Sequence, residues 1–176
     1  MATEAIVGTD TRFESVFRSE FPYVSQSLRR LGVREGDIDD VAQEVFVSVH
    51  GKFGHYDARR PVRPWLFAFA VRAASNYRNR ASVRREESLK AGAHEMSSTG
   101  SDESDKAHAR RVVMAALQDI ELDRRAVFIA HEIDGVSPDE IARQLSIAVG
   151  TVYTRLHRAR AEFTKAVERI EQEKPS

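Results

Sequence analysis

Thr151, Tyr153, Thr154, Arg155, His157, Arg158 and Lys165 fall within fifteen positions near the end of the chain. Arginine and lysine donate to guanine edges or phosphate oxygens, and threonine offers a hydroxyl and a methyl group to thymine. The spacing decides whether these groups act together. On a helix, Val152, Leu156, Ala159 and Phe163 lie within about 60° of one another, which makes them the buried side. Thr151, Thr154, His157, Arg158 and Lys165 then face outward, with Tyr153 and Arg155 on the flanks. Just upstream, Ser137-Pro138-Asp139-Glu140 supplies a capping serine, a proline at the first helical position and a glutamate at the third, ahead of inward Ile141, Ala142 and Leu145. Two short helices joined by the turn Ser146 to Val149, the second basic and hydroxyl-rich on its outer face, form a helix-turn-helix suited to the major groove. For one helix alone, a solvated charged face is the plainer reading. Cap, turn and basic second helix together favour DNA.

A second face has different chemistry. A helix opening at Asp37, with that residue as N-cap, buries Ile38, Val41, Ala42, Val45 and Val49. Its outer side then exposes Asp40, Gln43, Glu44 and the apolar Val47, a mixture that suits a protein partner with basic side chains. Asp39, Asp40, Glu44 and His50 do not converge on one face, so no metal site is expected. The six histidines are scattered, cysteine is absent, and neither a phosphate loop nor a catalytic serine or carboxylate pair is recognisable. The chain therefore reads as a non-enzyme with no cofactor and no small-molecule substrate.

Helical periodicity on either side of one polar stretch supplies the elements that position these faces. Phe13, Phe17, Phe21, Val24, Leu28 and Leu31 form one stripe, in which Pro22 is expected to break or kink the helix and Gly32 to stop it. A loop from Gly51 to Pro64 precedes a third helix. That helix is expected to begin at Trp65, with Leu66, Phe69 and Ala73 inward and a basic tail of Arg72, Arg78, Arg80, Arg84 and Arg85. Later, Val112, Val113, Ala116, Leu117 and Ile120 mark one helix, and Leu122, Val127, Phe128 and His131 another ending at Asp134-Gly135.

The intervening residues 86–106, rich in Ser, Gly and acids, lack the aromatic and branched residues that bury surface. They read as a flexible acidic linker between a domain over 11–85 and a domain over 107–172. Residues 1–85 carry fourteen basic against ten acidic residues, the linker two against six, and residues 107–176 eleven of each. DNA affinity must then come from local patches, and indiscriminate tight binding is not expected. No apolar run approaches the roughly 20 residues of a bilayer span, and the first ten residues lack a signal-peptide layout, so a cytoplasmic protein is expected.

The string GTVYTRLHRAR, preceded by SPDEIARQLSI, resembles the promoter-reading domain of bacterial sigma factors of the extracytoplasmic-function group. In the first block, DIDDVAQEVFVSVH is similar to that family's acidic helix that docks on RNA polymerase, and RPWLFAFAVRAASNYRNR to the helix that opens the −10 element. The resemblance covers about residues 13–85 and 110–165. It implies an all-α fold of a sigma-2-like helical bundle and a sigma-4-like helix-turn-helix. The implied partners are the clamp and flap of bacterial core polymerase, promoter DNA and, as a further candidate, an anti-sigma protein.

The resemblance assigns polymerase docking to Asp39, Asp40, Gln43, Glu44 and Val47. It assigns −10 recognition to Phe53, His55, Tyr56, Arg63, Trp65, Arg72, Asn76 and Arg80, and −35 recognition to Thr151, Tyr153, Thr154, Arg155, His157 and Arg158. Phe53, His55, Tyr56, Arg59, Arg60 and Arg63 bring the aromatic faces and cations that unpaired bases need into one stretch. Asn76 fits a position that reads a flipped base, whereas Arg72 stands where asparagine is common. Tyr153 replaces a usual basic residue, and Asp123 a usual proline. The alternative is a stand-alone regulator that dimerises and reads a palindrome without polymerase.

Overall fold

The computed structural model describes residues 2–89 and 105–173, with side chains described over 11–83 and 105–173. Among the described residues there are seven α-helices and no strand. They are α1 (Ala2–Leu31), α2 (Ile38–Lys52), α3 (Val62–Leu89), α4 (Asp105–Gln118), α5 (Leu122–Phe128), α6 (Pro138–Leu145) and α7 (Val149–Gln172). Of the expected linker, residues 90–104 lie outside the described residues, as do the side chains of Arg84 and Arg85. At its edges α3 runs on to Leu89 and α4 begins at Asp105.

The stripe of α1 is buried as its spacing implies: Val24, Leu28 and Leu31 are fully enclosed, and Phe13, Phe17 and Phe21 pack against the core. The helix is not broken at Pro22. That residue is exposed, so the carbonyl four residues back, which loses its amide partner, faces water on the side away from the packed stripe. Gly32 does end the helix. Its φ is +100°, and the paired bonds from Gly32 N–H to the Arg29 carbonyl (3.1 Å) and from Val33 N–H to the Leu28 carbonyl (3.0 Å) satisfy the last turn.

In α2 the expected inward residues are buried and Phe46 joins them, edge-on to Phe17 at 4.8 Å. Asp37 precedes the helix but makes no side-chain cap. Its carboxylate accepts instead from the Tyr77 hydroxyl at 2.6 Å, tying the start of α2 to α3. The third helix begins at Val62, a turn before Trp65, because Pro64 is tolerated in a first turn where its missing N–H has no partner to lose. Its deeply buried residues are Leu66, Phe67, Ala70 and Ala74, while Phe69 and Ala73 are partly buried beside them. Each fully enclosed Leu or Val is worth about 1.5–3 kcal/mol of transfer free energy, so packing holds this three-helix unit.

In the second unit Val112, Ala116 and Leu117 are buried on α4, whereas Val113 sits on the opposite side and is exposed. After α5 the backbone widens into a π-helical turn over Ile129–Ile133, with Asp134 N–H bonded five residues back to Ile129 at 3.0 Å, and Gly135 (φ +68°) closes it. The two units share one continuous apolar core. α1 lies against α4 and α5, and α3 against α6.

Candidate nucleic-acid interface

The helix-turn-helix forms as its capping residues dictate. Ser137 Oγ accepts from Glu140 N–H at 3.3 Å and Pro138 opens α6. Glu140 does not reach back to complete the reciprocal cap. Its carboxylate is taken by Gln144 Nε2 at 2.7 Å and by the Arg143 guanidinium, and the Gln144 bond first, then Arg143, holds it below the usual carboxylate range. The turn is made by Ser146 in the left-handed region (φ 55°), with Ile147 N–H bonded to the Ala142 carbonyl at 3.0 Å.

Helix α7 buries Val152, Leu156 and Ala159 and stacks Phe163 on Phe128 at 4.9 Å. Its outer side then presents Tyr153 (59% exposed), Thr154, His157, Arg158 and Lys165 to solvent. Thr151 and Arg155 are partly covered. Thr151, Thr154, Arg155 and Arg158 line an open hollow whose other wall carries Asp123 and Arg124 from the start of α5. Arg155 Nη2 donates to Asp123 at 2.6 Å across this hollow. Asp123 was legible in sequence only as a departure from the family pattern; its pairing with a residue 32 positions away was not.

The N-terminal unit offers two faces. Asp39, Asp40, Gln43, Glu44 and Val47 are all exposed on α2, Val47 at 75%. On α3, Trp65, Phe69, Arg72, Asn76 and Arg80 follow one another at near-helical repeats and share a side, with Arg72, Asn76 and Arg80 exposed. Trp65 is partly buried, stacked on Tyr56 at 4.8 Å and edge-on to Phe69 at 5.0 Å. His55 is exposed on the turn beside them.

Two expected members of this aromatic and basic group stand apart. Phe53 is a core residue, 5% exposed and edge-on to Phe13 at 5.5 Å, and so has no face open to a base. Arg63 projects from the far side of α3 toward α1, where it donates to Glu20 at 2.8 Å and its guanidinium lies 5.0 Å from the centre of the Tyr23 ring. Arg59 and Arg60 both pair with Asp57. Arg80 makes a two-pronged ion pair with Glu44, at 3.1 and 3.0 Å. Among the described residues no group of histidines and carboxylates could hold a metal ion, and no helix is long and apolar enough to cross a membrane.

An outward-facing helix-turn-helix beside a three-helix unit with an acidic, part-apolar exposed face is the arrangement of a DNA-reading protein that works with a protein partner. Comparison with known proteins makes this specific. Residues 16–84 match the Sigma-70 region 2 family and residues 110–163 match Sigma-70, region 4. The chain belongs to the sigma-70 family, in its extracytoplasmic-function group.

The RNA polymerase sigma factor CnrH of Cupriavidus metallidurans is 27% identical over 176 residues, covering 93% of this chain and 91% of that protein. The ECF RNA polymerase sigma-E factor of Escherichia coli is 29% identical over 147 residues, 77% of this chain and 76% of that one. The structure of CnrH in complex with the cytosolic domain of CnrY superimposes with a TM-score of 0.65 at 27% identity, covering 95% of this chain and 94% of that one. The sigma factor RpoE of Bartonella quintana, in complex with the anti-sigma factor NepR, superimposes at 0.70 with 18% identity over 89% and 97% of the two chains, a likeness of fold.

Proposed function

We propose that this chain is a sigma factor that binds bacterial core RNA polymerase and directs it to promoters by reading a −10 element with the unit over 11–85 and a −35 element with the unit over 107–172. The observation that carries this reading is the combination on one chain of the outward α7 face and the exposed Val47 among Asp39, Asp40, Gln43 and Glu44. A free DNA-binding domain has no need of the second face. A polymerase subunit does, because binding buries that apolar surface and pairs those carboxylates.

On α3 the −10 readers are Trp65, Arg72, Asn76 and Arg80, with Tyr56 and His55 beside them; Arg63 would have to leave Glu20 and Tyr23 to join them. On α7 the −35 readers are Tyr153, Thr154, His157 and Arg158 over bases, with Thr151 and Arg155 toward phosphates. The chain adds no chemistry of its own. It acts in the cytoplasm on where polymerase starts, and an anti-sigma protein is the natural further partner, since CnrH is seen in complex with the cytosolic domain of CnrY.

The test is transcription from a promoter library by core polymerase with and without the purified chain, followed by sequencing of the transcript starts. New starts that share two elements at a fixed spacing support the reading. Protection of a palindrome by the chain alone, with no new starts, would establish the dimeric regulator instead.

A further inference from the structure

The first turns of α7 expose two apolar side chains. Val149 is 40% exposed and Tyr153 59%. They stand one helical turn apart, and His157, a further turn on, continues the same exposed row. Val152, Leu156 and Ala159 already form the buried side of this helix, so core packing does not account for a valine at 149. A single exposed valine is ordinary on a protein surface. Its neighbours distinguish this one.

Gly150 follows Val149 within the helix, where no unusual φ requires a glycine, and a Cβ there would meet nothing within 4 Å. The missing side chain leaves an open notch in which another surface can approach the backbone closely. Thr154 lies one turn further along from Gly150. Its Oγ1 donates to the Gly150 carbonyl at 2.9 Å, so the hydroxyl proton is spent inside the helix. What the exposed threonine keeps for a partner is an acceptor oxygen and its γ-methyl.

Charge identifies the partner. From Val149 to Lys165 the helix carries Arg155, Arg158, Arg160 and Lys165 against the one carboxylate of Glu162, which Arg124 holds at 3.1 Å. An apolar notch in a cationic field, continuous with the DNA-facing side of α7, suits a polyanion that bears a methyl group. Duplex DNA presents that group in the major groove, as the C5-methyl of thymine.

We propose that Val149, Gly150 and the γ-methyl of Thr154, flanked by Tyr153, form a methyl-reading notch that selects thymine at one position of the −35 element. The inference deepens the sigma-factor reading and rests on it for the identity of the DNA. Val149 and Gly150 join the reading face as specificity-determining residues, and Thr154 reads through carbon rather than through its hydroxyl.

The test replaces each thymine of the −35 duplex, one at a time and on both strands, by uracil, which removes the methyl group and leaves base pairing intact. The duplex is taken from the promoters that the transcription experiment recovers, and holoenzyme binding is measured by anisotropy. At one position uracil should weaken binding about fourfold, the size expected for one buried methyl group. Val149→Ala and Thr154→Ser should each lower that thymine-to-uracil ratio below about twofold with helicity unchanged, whereas Val149→Ile and Thr154→Val, which keep the methyl contacts, should preserve it. Equal binding of every uracil duplex and its thymine parent overturns the proposal. So does a ratio unchanged in both Val149→Ala and Thr154→Ser, including the case in which Val149→Ala weakens core polymerase binding instead and marks the notch as a protein-docking surface. Failure of the sigma-factor reading would appear separately, as the absence of new transcript starts. The same uracil scan on a palindrome protected by the chain alone would then still measure the methyl contact.

Discussion

Arg80 and Glu44 face each other across the gap between α3 and α2, the guanidinium donating to both carboxylate oxygens at 3.1 and 3.0 Å. Arg80 belongs to the proposed −10 side and Glu44 to the proposed polymerase side. Both side chains are half exposed, so the pair does little for stability. Glu44→Ala should leave the thermal midpoint unchanged while weakening the association with core polymerase measured by anisotropy. If the melting curve collapses and polymerase affinity does not change, the residue is structural.

Gly32→Ala tests a different kind of constraint. The position needs φ near +100°, and a new Cβ would sit 2.7 Å from both Arg125 Nη1 and Gln118 Oε1. Strain and displaced hydrogen bonds together should cost about 2–4 kcal/mol in urea unfolding. Gly36→Ala, where nothing lies within 4 Å, is the control and should cost far less. Equal effects at the two glycines would mean that the packing around Arg125 is loose.

Ser146 holds the helix-turn-helix corner with φ 55° and ψ 45°, the one non-glycine residue at positive φ among the described residues. Ser146→Gly removes the Cβ penalty there, and should stabilise the protein by about 0.5–1 kcal/mol, read as a rise in thermal midpoint. A drop would indicate that the serine side chain makes a compensating contact.

The pH dependence of the same motif follows from Glu140. Its folded carboxyl is held below 4.5, by the Gln144 hydrogen bond first and then by Arg143, against burial that pushes it up. A carboxyl lowered on folding stabilises the native state above its unfolded value, and this contribution is lost as pH falls through the folded one. Melts of Glu140→Gln should therefore differ from the parent near pH 6 and converge with it near pH 3. A gap that stays constant across that range would assign the effect to packing.

Much of this was legible in the sequence because periodicity and capping are local. Ser137 and Pro138 announce α6, and the inward residues of α2 and α7 follow from their spacing alone. Phe53 misled because aromatic composition in a loop does not reveal which ring the core will take; Phe13, forty residues earlier, takes it. Asp37 has a capping residue's identity but serves Tyr77, and Arg63 points to Glu20, since pairings across helices leave no local trace. Arg125 carried a signal that charge concealed: it lies three residues after Leu122 and four before Ile129, on the inward stripe of α5. Only the paired carbonyls of α1 and α4 explain how a cation can occupy it.

Asp123 offers the sharpest test of the proposed −35 face. Its carboxylate holds Arg155 at 2.6 Å within the hollow lined by Thr151, Thr154 and Arg158, where a phosphate would lie. A bound phosphate must displace that carboxylate or share the guanidinium with it, so Asp123 opposes DNA binding while orienting Arg155. Asp123→Ala should strengthen binding of the holoenzyme to a −35 duplex and steepen its salt dependence by about one unit of slope, because one more cation becomes available to release counterions. Arg155→Ala should weaken binding and reduce the slope, and the double variant should resemble Arg155→Ala alone. Were Asp123→Ala to weaken binding instead, the carboxylate would be needed to aim the arginine rather than to mask it. The slope separates the two roles, since a mis-aimed arginine lowers the number of released ions and an unmasked one raises it.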